Sequence, residues 1–190
     1  MGTTLDQQKR ALRAVVSARL GDPEHGFRLA GHALDLAPPP GAVVSGFWPM
    51  PREIDIRPLL LALAGRGHPI VLPRTPRRGL ALGFHRWRPG DPLEAGRMGI
   101  LEPPAWAEAL DPDHLLVPLV AFDCGMRRLG HGAGYYDRTL AGLRARKPVF
   151  ALGVGFAAQQ VERVPAGPDD ALLDAVATER GVLRAAEGLA

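Results

Sequence analysis

Apolar and polar residues alternate along this chain with two periods, and each period marks an element. Thr4-x-x-Gln7 forms a capping box, and the pattern after it predicts a helix from Leu5 to Leu20. Leu5, Leu12, Val15, Val16 and Leu20 supply its apolar stripe. Lys9 and Arg13, four residues apart, project from one side at the edge of that stripe. A second helix is predicted from Glu24 to Leu36, stopped by "APPPG". "AVVSGFW" then reads as a buried strand. "PREIDIRPLLLALAGRG" is a loop entering a helix that Gly65 or Gly67 ends. "HPIVLPRT" is too short and β-branched for a helix and reads as the next strand. "LALGFHRW" alternates as a strand with one face toward the core. "DPLEAGRMGILEPPAWAEAL" is irregular, with a short helix predicted near Ala105 to Leu110.

The second half is plainer. "HLLVPLVAFD" is apolar at nearly every position and reads as one buried strand. "CGMRRLGHGAG" is the loop after it. "YYDRTLAGLRARK" is a helix ended before Pro148, and "VFALGVGF" is another continuous apolar strand. "DAVATERGVLRA" closes the chain as a strand and tail. Strands apolar on both faces, alternating with helices, predict an α/β fold whose mainly parallel sheet is covered on both sides. The 190 residues are expected to form a single domain.

Composition narrows the setting. Apolar residues are 46% and mean hydropathy is −0.02, as in a soluble globular chain. No apolar run approaches the ~20 residues of a membrane span. The N-terminal residues lack the basic-then-apolar order of a signal peptide. Gly2 is present, but Asp6 stands where a myristoylation site needs Ser or Thr. Cys124 is the only cysteine, so no internal disulfide is possible and a cytoplasmic location is expected. Of 23 basic residues only Lys9 and Lys147 are lysine. Base composition explains that bias, and so does a site for an anionic ligand, since guanidinium binds phosphate and carboxylate bidentately. A pI near 9.6 also suggests nucleic acid, but no long basic run or zinc pattern accompanies it.

The chemistry concentrates in "LGHGAGYYD", residues 129 to 137. Three glycines at alternate positions fall where a strand delivers the chain to the carboxyl edge of the sheet. Open α/β sheets bind ligands at that edge. Glycine allows positive φ and close approach to backbone N–H groups. The helix beginning near Tyr135 aims its positive end at the same place, making an anion site suited to phosphate. The spacing is neither the dinucleotide fingerprint nor the Walker pattern. Asp137 in the first helical turn suits the helix dipole, or a Mg²⁺ ion beside bound phosphates. Tyr135 and Tyr136 offer a ring to stack on a flat ligand, or one ring for the core and one for the surface.

"AFDCGMRRLGHGAGYYDRTLA" resembles the signature of the 5-formyltetrahydrofolate cyclo-ligase family. "KRALR", "GFWPMPREIDIRPLL", "GHPIVLPRT", "MGILEPP" and "DDALLDAVATERGVL" follow in that family's order, so the likeness covers nearly the whole chain. The resemblance implies a three-layer α/β/α fold with a mainly parallel, Rossmann-like sheet. It implies ATP- and Mg²⁺-dependent cyclisation of 5-formyltetrahydrofolate to 5,10-methenyltetrahydrofolate, with ADP and phosphate released. By the same resemblance Lys9, Arg13, Arg128, Leu129, Gly130, His131, Gly132, Ala133, Gly134, Tyr135 and Tyr136 match ATP contacts. Trp48, Glu53, His131, Gly132, Ala133, Gly134 and Tyr135 match contacts to the reduced folate. Asp137 and Asp170 match magnesium ligands. No residue is assigned a catalytic role beyond positioning ligands. The expected partners are small molecules only, with neither nucleic acid nor membrane, and the expected state is a monomer. His131 stands where many members have arginine; either its imidazole faces the phosphates as that arginine would, or the loop acts through its backbone N–H groups and the imidazole lies in solvent or against the pterin. Ala133 stands where many have glycine or lysine and holds φ negative; if that geometry needs a left-handed residue, the cost is about 1–2 kcal/mol. A folate- or nucleotide-binding protein of the same fold without turnover is the alternative.

Overall fold

A computed structural model describes residues 3–16 and 25–185 of the chain, apart from the side chain of Met98. In chain order the elements are α1 (Leu5–Val16), α2 (His25–Ala33), β1 (Val44–Ser45), α3 (Arg57–Gly65), β2 (Ile70–Arg74) and β3 (Gly83–Arg86). There follow β4 (Glu94–Ala95), β5 (Leu101–Glu102), β6 (His114–Pro118), β7 (Ala121–Phe122) and β8 (Arg128–Leu129). The chain ends with α4 (Tyr135–Arg144), β9 (Phe150–Val154), β10 (Ala175–Thr178) and β11 (Gly181–Arg184).

Seven strands form the main sheet in the order β11-β10-β9-β6-β1-β2-β3. The inner five run parallel, and β3 and β11 close the two edges antiparallel. Strict alternation along β6 explains the layers. Leu116 points into the core beneath α2 and α3, whereas Leu115 and Val117 point into the core beneath α4. Both faces are therefore buried, and the strand is apolar throughout. The α/β class and its helix-covered, mostly parallel sheet agree with the sequence reading.

From β1 the chain steps outward to β2, then returns to the other side of β1 to lay down β6. At such a reversal the loops leaving two neighbouring strands diverge, and a crevice opens outside their carboxyl ends. The position of the site thus follows from strand order.

Several elements differ from expectation. β1 is two residues long rather than spanning "AVVSGFW". α1 is described to Val16; residues 17–20, like Glu24, lie outside the described part. Val15, predicted to face the core, is exposed, while Val16 is buried. α2 gives way at Leu34–Leu36 to a 3-10 turn.

"HLLVPLVAFD" is not one strand: β6 stops at Pro118, and Ala121–Phe122 pairs instead with Arg128–Leu129 inside the expected loop. Continuous apolarity here reports burial under α1 and α4, not an uninterrupted ladder. Asp123 organises that hairpin. Its carboxylate accepts the N–H groups of Gly125 (2.9 Å), Arg127 (3.1 Å) and Val164 (2.8 Å), and Met126 takes φ 60° in the turn.

The helix expected at Ala105 to Leu110 does not form. Arg86 N–H donates to Glu108 O (2.7 Å) and Leu110 N–H to Phe84 O (3.1 Å), so that segment runs along the free edge of β3. The closing segment is a hairpin, β10–β11, rather than a strand and tail. Among the described residues no helix is long and apolar enough to cross a membrane.

Candidate active site

The crevice at the switch point is a cavity of about 340 Å³, within the usual range for small-molecule sites. Each expected site residue lines it: Lys9 and Arg13 from α1, Trp48 and Glu53 after β1, Arg128 to Asp137, and Asp170. Sequence reasoning missed Asp6, Phe47, Met50, Pro73, Thr75, Leu82, Ile100 and Pro118. Strand order could have found three of these, since Phe47, Thr75 and Pro118 sit where β1, β2 and β6 end.

α1 is anchored by its two cations, Arg13 on the glycine loop and Lys9 on Asp170. Lys9 Nζ donates to both oxygens of Asp170, at 2.8 and 2.6 Å. Arg13 Nε donates to the carbonyl of Gly130 at 2.8 Å. Asp170 Oδ2 also accepts the N–H of Gly167 at 2.6 Å. Partial burial pushes the Asp170 pKa up, but the hydrogen bonds from Lys9 and Gly167 outweigh it and hold the carboxyl below its ordinary value.

Gly132 (φ 100°) and Gly134 (φ 67°) take the left-handed conformation, and Gly134 caps α4. This accounts for two of the three glycines. Gly130 has negative φ and open space around its Cα, so nothing in the structure explains it. Ala133 keeps φ negative, so the backbone cost considered above does not arise. A side chain at 134 would also be crowded, because a Cβ there would lie 2.7 Å from Arg138 Nη1.

Behind the loop, Arg128 is almost fully buried. Its Nη2 donates to Asp137 Oδ1 at 2.6 Å, and its Nη1 to the carbonyl of Ala171. Burial lowers the Arg128 pKa, and the neighbouring Asp137 opposes that. Asp137 Oδ1 also accepts the N–H of Ala171 at 3.2 Å. Oδ2 of Asp137 has no hydrogen-bond partner among the described residues. Asp137 and Asp170 both offer hard oxygen donors on the cavity wall. No group of three or more His, Cys, Asp or Glu is placed to hold a metal among the described residues. A divalent ion here would therefore need further oxygens from a ligand, the usual circumstance of Mg²⁺ beside phosphates.

Glu53 keeps only 10% of its side chain exposed, and this desolvation raises its pKa to about 7, opposed only by the Met50 N–H that donates to Oε2 at 2.8 Å. His131 Nδ1 lies 4.0 Å from Glu53 Oε1. Burial lowers the His131 pKa, and the nearby Arg13 lowers it further. Tyr136 is half-buried, and its pKa is raised, by desolvation first and by the nearby Glu53 second. Tyr135 donates its hydroxyl to Pro76 O at 3.0 Å. Trp48 meets Trp87 edge-on at 6.0 Å, with the Arg57 guanidinium over its ring. The two tyrosines do not divide into core and surface: both are half-buried and both line the cavity, Tyr136 also packing on the core beneath α4.

The cavity is lined by Lys9, Arg13 and Arg128 together with Asp6, Asp137 and Asp170, and by Glu53, a carboxyl among Phe47, Trp48 and Met50 able to accept donors from a flat polar ring.

Comparison with known proteins gives this lining a context. A profile of the 5-formyltetrahydrofolate cyclo-ligase family matches residues 5–179. The 5-formyltetrahydrofolate cyclo-ligase of Mycolicibacterium smegmatis is 36% identical over 152 residues, 75% of this chain and 77% of that protein. That of Haemophilus influenzae is 36% identical over 118 residues, 60% of this chain; the match spans 63% of the relative's length. The NMR structure of the Aquifex aeolicus 5,10-methenyltetrahydrofolate synthetase superposes with a TM-score of 0.76 at 28% identity. It covers 96% of this chain and 95% of that one.

Proposed function

The chain belongs to the 5-formyltetrahydrofolate cyclo-ligase family, and from that premise we propose its reaction and the part each cavity residue takes. It closes 5-formyltetrahydrofolate to 5,10-methenyltetrahydrofolate at the expense of ATP. The formyl oxygen takes the γ-phosphoryl group, ADP departs, and nitrogen 10 attacks the activated carbon. The formyl oxygen then leaves in the phosphate, and the proton of nitrogen 10 is released. This chemistry asks the protein for positioning and charge neutralisation more than for covalent help.

Lys9, Arg13 and Arg128, with the loop Leu129, Gly130, His131, Gly132, Ala133, Gly134, Tyr135 and Tyr136, hold the triphosphate. Glu53 accepts hydrogen bonds from the pterin amino and ring N–H groups. Trp48 packs on the folate, and His131 to Tyr135 lie between the two substrates. Asp137 and Asp170 hold Mg²⁺ together with phosphate oxygens. The ion, when bound, neutralises charge developing on the transferred phosphoryl group.

The observation that carries this reading is one cavity lined both by cations beside a left-handed glycine loop and by a desolvated carboxyl among Phe47, Trp48 and Met50. A cytoplasmic setting is part of the same proposal, resting on the single cysteine. The test is the near-ultraviolet absorbance of the methenyl product after mixing protein, 5-formyltetrahydrofolate, ATP and Mg²⁺. Its appearance only when ATP is present is expected. Folate binding without that absorbance would identify a binding protein instead.

A further inference from the structure

One wall of the cavity buries little apolar surface among its described residues, Leu93 and Ile100 being only half-buried. The β4–β5 hairpin contributes Ile100 to the cavity, yet Glu94, Ala95 and Leu101 are all exposed. Its two strands are two residues each, joined by a 3-10 turn at Arg97–Gly99. A segment so poor in buried apolar surface opens at low free energy unless something else fixes it.

A polar latch lies beneath it. Glu102 is buried, 5% exposed. Its Oε2 accepts the N–H of Thr75 at 3.0 Å, and its Oε1 lies 3.2 Å from Arg74 Nη2. The other arm of Arg74, Nη1, reaches Glu94 Oε1 at 2.6 Å and donates to the carbonyl of Pro103. One guanidinium at the carboxyl end of β2 therefore grips both strands of the hairpin and the residue after it. Arginine suits this task because its planar fork fixes two directions at once. Gly96 makes room for the arrangement. A Cβ on Gly96 would lie 2.3 Å from the Glu102 carboxyl carbon. The φ of Gly96 is −86°, open to any residue, so space rather than backbone conformation requires glycine there.

We propose that Arg74 and Glu102 are positioning residues that clamp the β4–β5 hairpin onto β2, setting where Ile100 and Thr75 stand and so the fit of the reduced folate. The proposal rests on the cyclo-ligase reading above and adds specificity determinants to it. Neither residue touches the reacting atoms; both act through the wall they hold. The α1 cations lie on another element, and the glycine loop meets this wall through the Tyr135 hydroxyl on Pro76 O, so KM for ATP should change less than KM for the folate.

The test is steady-state kinetics with each substrate varied in turn. Glu102→Ala and Arg74→Ala should each raise KM for 5-formyltetrahydrofolate about tenfold, with KM for ATP within about twofold. Glu102→Gln keeps an oxygen for the Thr75 N–H and should fall between Glu102→Ala and wild type. The double variant should be no worse than either single one, as expected of one shared latch. Gly96→Ala should reproduce Glu102→Ala by evicting the carboxylate. Parallel changes in both KM values, additive effects in the double variant, or an unchanged folate KM would each overturn the proposal. Should the alanine variants fail to fold by circular dichroism, Glu102→Gln and Gly96→Ala still decide by the same split. If wild type shows no turnover, the reaction reading fails on its own. The latch is then judged by tryptophan-fluorescence titration with 5-formyltetrahydrofolate, where equal affinities for wild type and Glu102→Gln would overturn it.

Discussion

Glu53 keeps its proton at a pH where most carboxyls have lost theirs, and this has a direct consequence for stability. Its folded pKa, about 7, lies above the ordinary value of 4.5. Between those values the folded state holds more protons than the unfolded one, so stability falls as pH rises. The contribution is whole below about pH 4.5 and gone above about pH 7, and its ceiling is about 3 kcal/mol. Glu53→Gln removes the titration. The variant should melt close to wild type at pH 5 and above it at pH 8, by a few degrees in thermal scans. An identical pH trend in both proteins would show that burial at Glu53 costs little. The two aspartates proposed to hold Mg²⁺ separate in a similar way. Asp170 is a partly exposed partner of Lys9, so Asp170→Asn should cost little stability while removing most turnover at limiting Mg²⁺. Asp137 neutralises the buried Arg128, so Asp137→Asn should also destabilise, by about 1–3 kcal/mol. Melting temperature and magnesium titration together check both. Residue type and order made these carboxylates legible in the sequence. The approach of His131 to Glu53, at 4.0 Å, was not, because 78 positions separate them and only the fold brings them together.

At the scale of elements, the sequence showed most where a local rule suffices. The capping box at Thr4 and Gln7 is present, with Thr4 N–H donating to Gln7 Oε1 at 2.8 Å. The left-handed glycines at 132 and 134 stand at the helix start where the motif put them. It misled where burial and periodicity part company. Residues 119 to 122 are apolar because α1 covers Val120 and Ala121 and α4 covers Leu119 and Phe122, not because β6 continues, and a hairpin organised by Asp123 was read as a loop. Residues 105 to 110 have helix-forming composition, but the free edge of β3 offers backbone partners that outweigh it. Gly134 tests how much the loop depends on local conformation. Gly134→Ala puts a side chain into the left-handed region and against Arg138, at a cost of about 1–2 kcal/mol. Because the strain falls at the start of α4, where the triphosphate is proposed to bind, KM for ATP should rise more than KM for the folate. Denaturant melts and paired KM measurements check it; a silent Gly134→Ala would mean the loop relaxes freely.

For the whole molecule, the predicted mainly parallel sheet was correct, whereas the strand order that places the cavity depends on long-range pairing no local pattern encodes. That order gathers the site from α1, the ends of β1 and β2, the 128–137 segment and Asp170. Ligands filling the cavity therefore bridge parts of the chain far apart in sequence, and unfolding any of them requires release. Binding to the folded state alone stabilises by RT ln(1 + [L]/Kd), about 2.7 kcal/mol at a hundredfold excess over Kd. For a chain of this size that corresponds to a rise in melting temperature of about 5–10 °C. Mg²⁺ and a non-hydrolysable ATP analogue should produce such a rise. The analogue without Mg²⁺ should produce a smaller one, because the two aspartates then face phosphate oxygens with no cation between. In Asp170→Asn the gap between the two conditions should narrow, since one of the carboxylates that hold the ion is gone. Equal shifts with and without Mg²⁺ in wild type would remove the metal from the site and leave Asp137 and Asp170 as anchors for Arg128 and Lys9 alone.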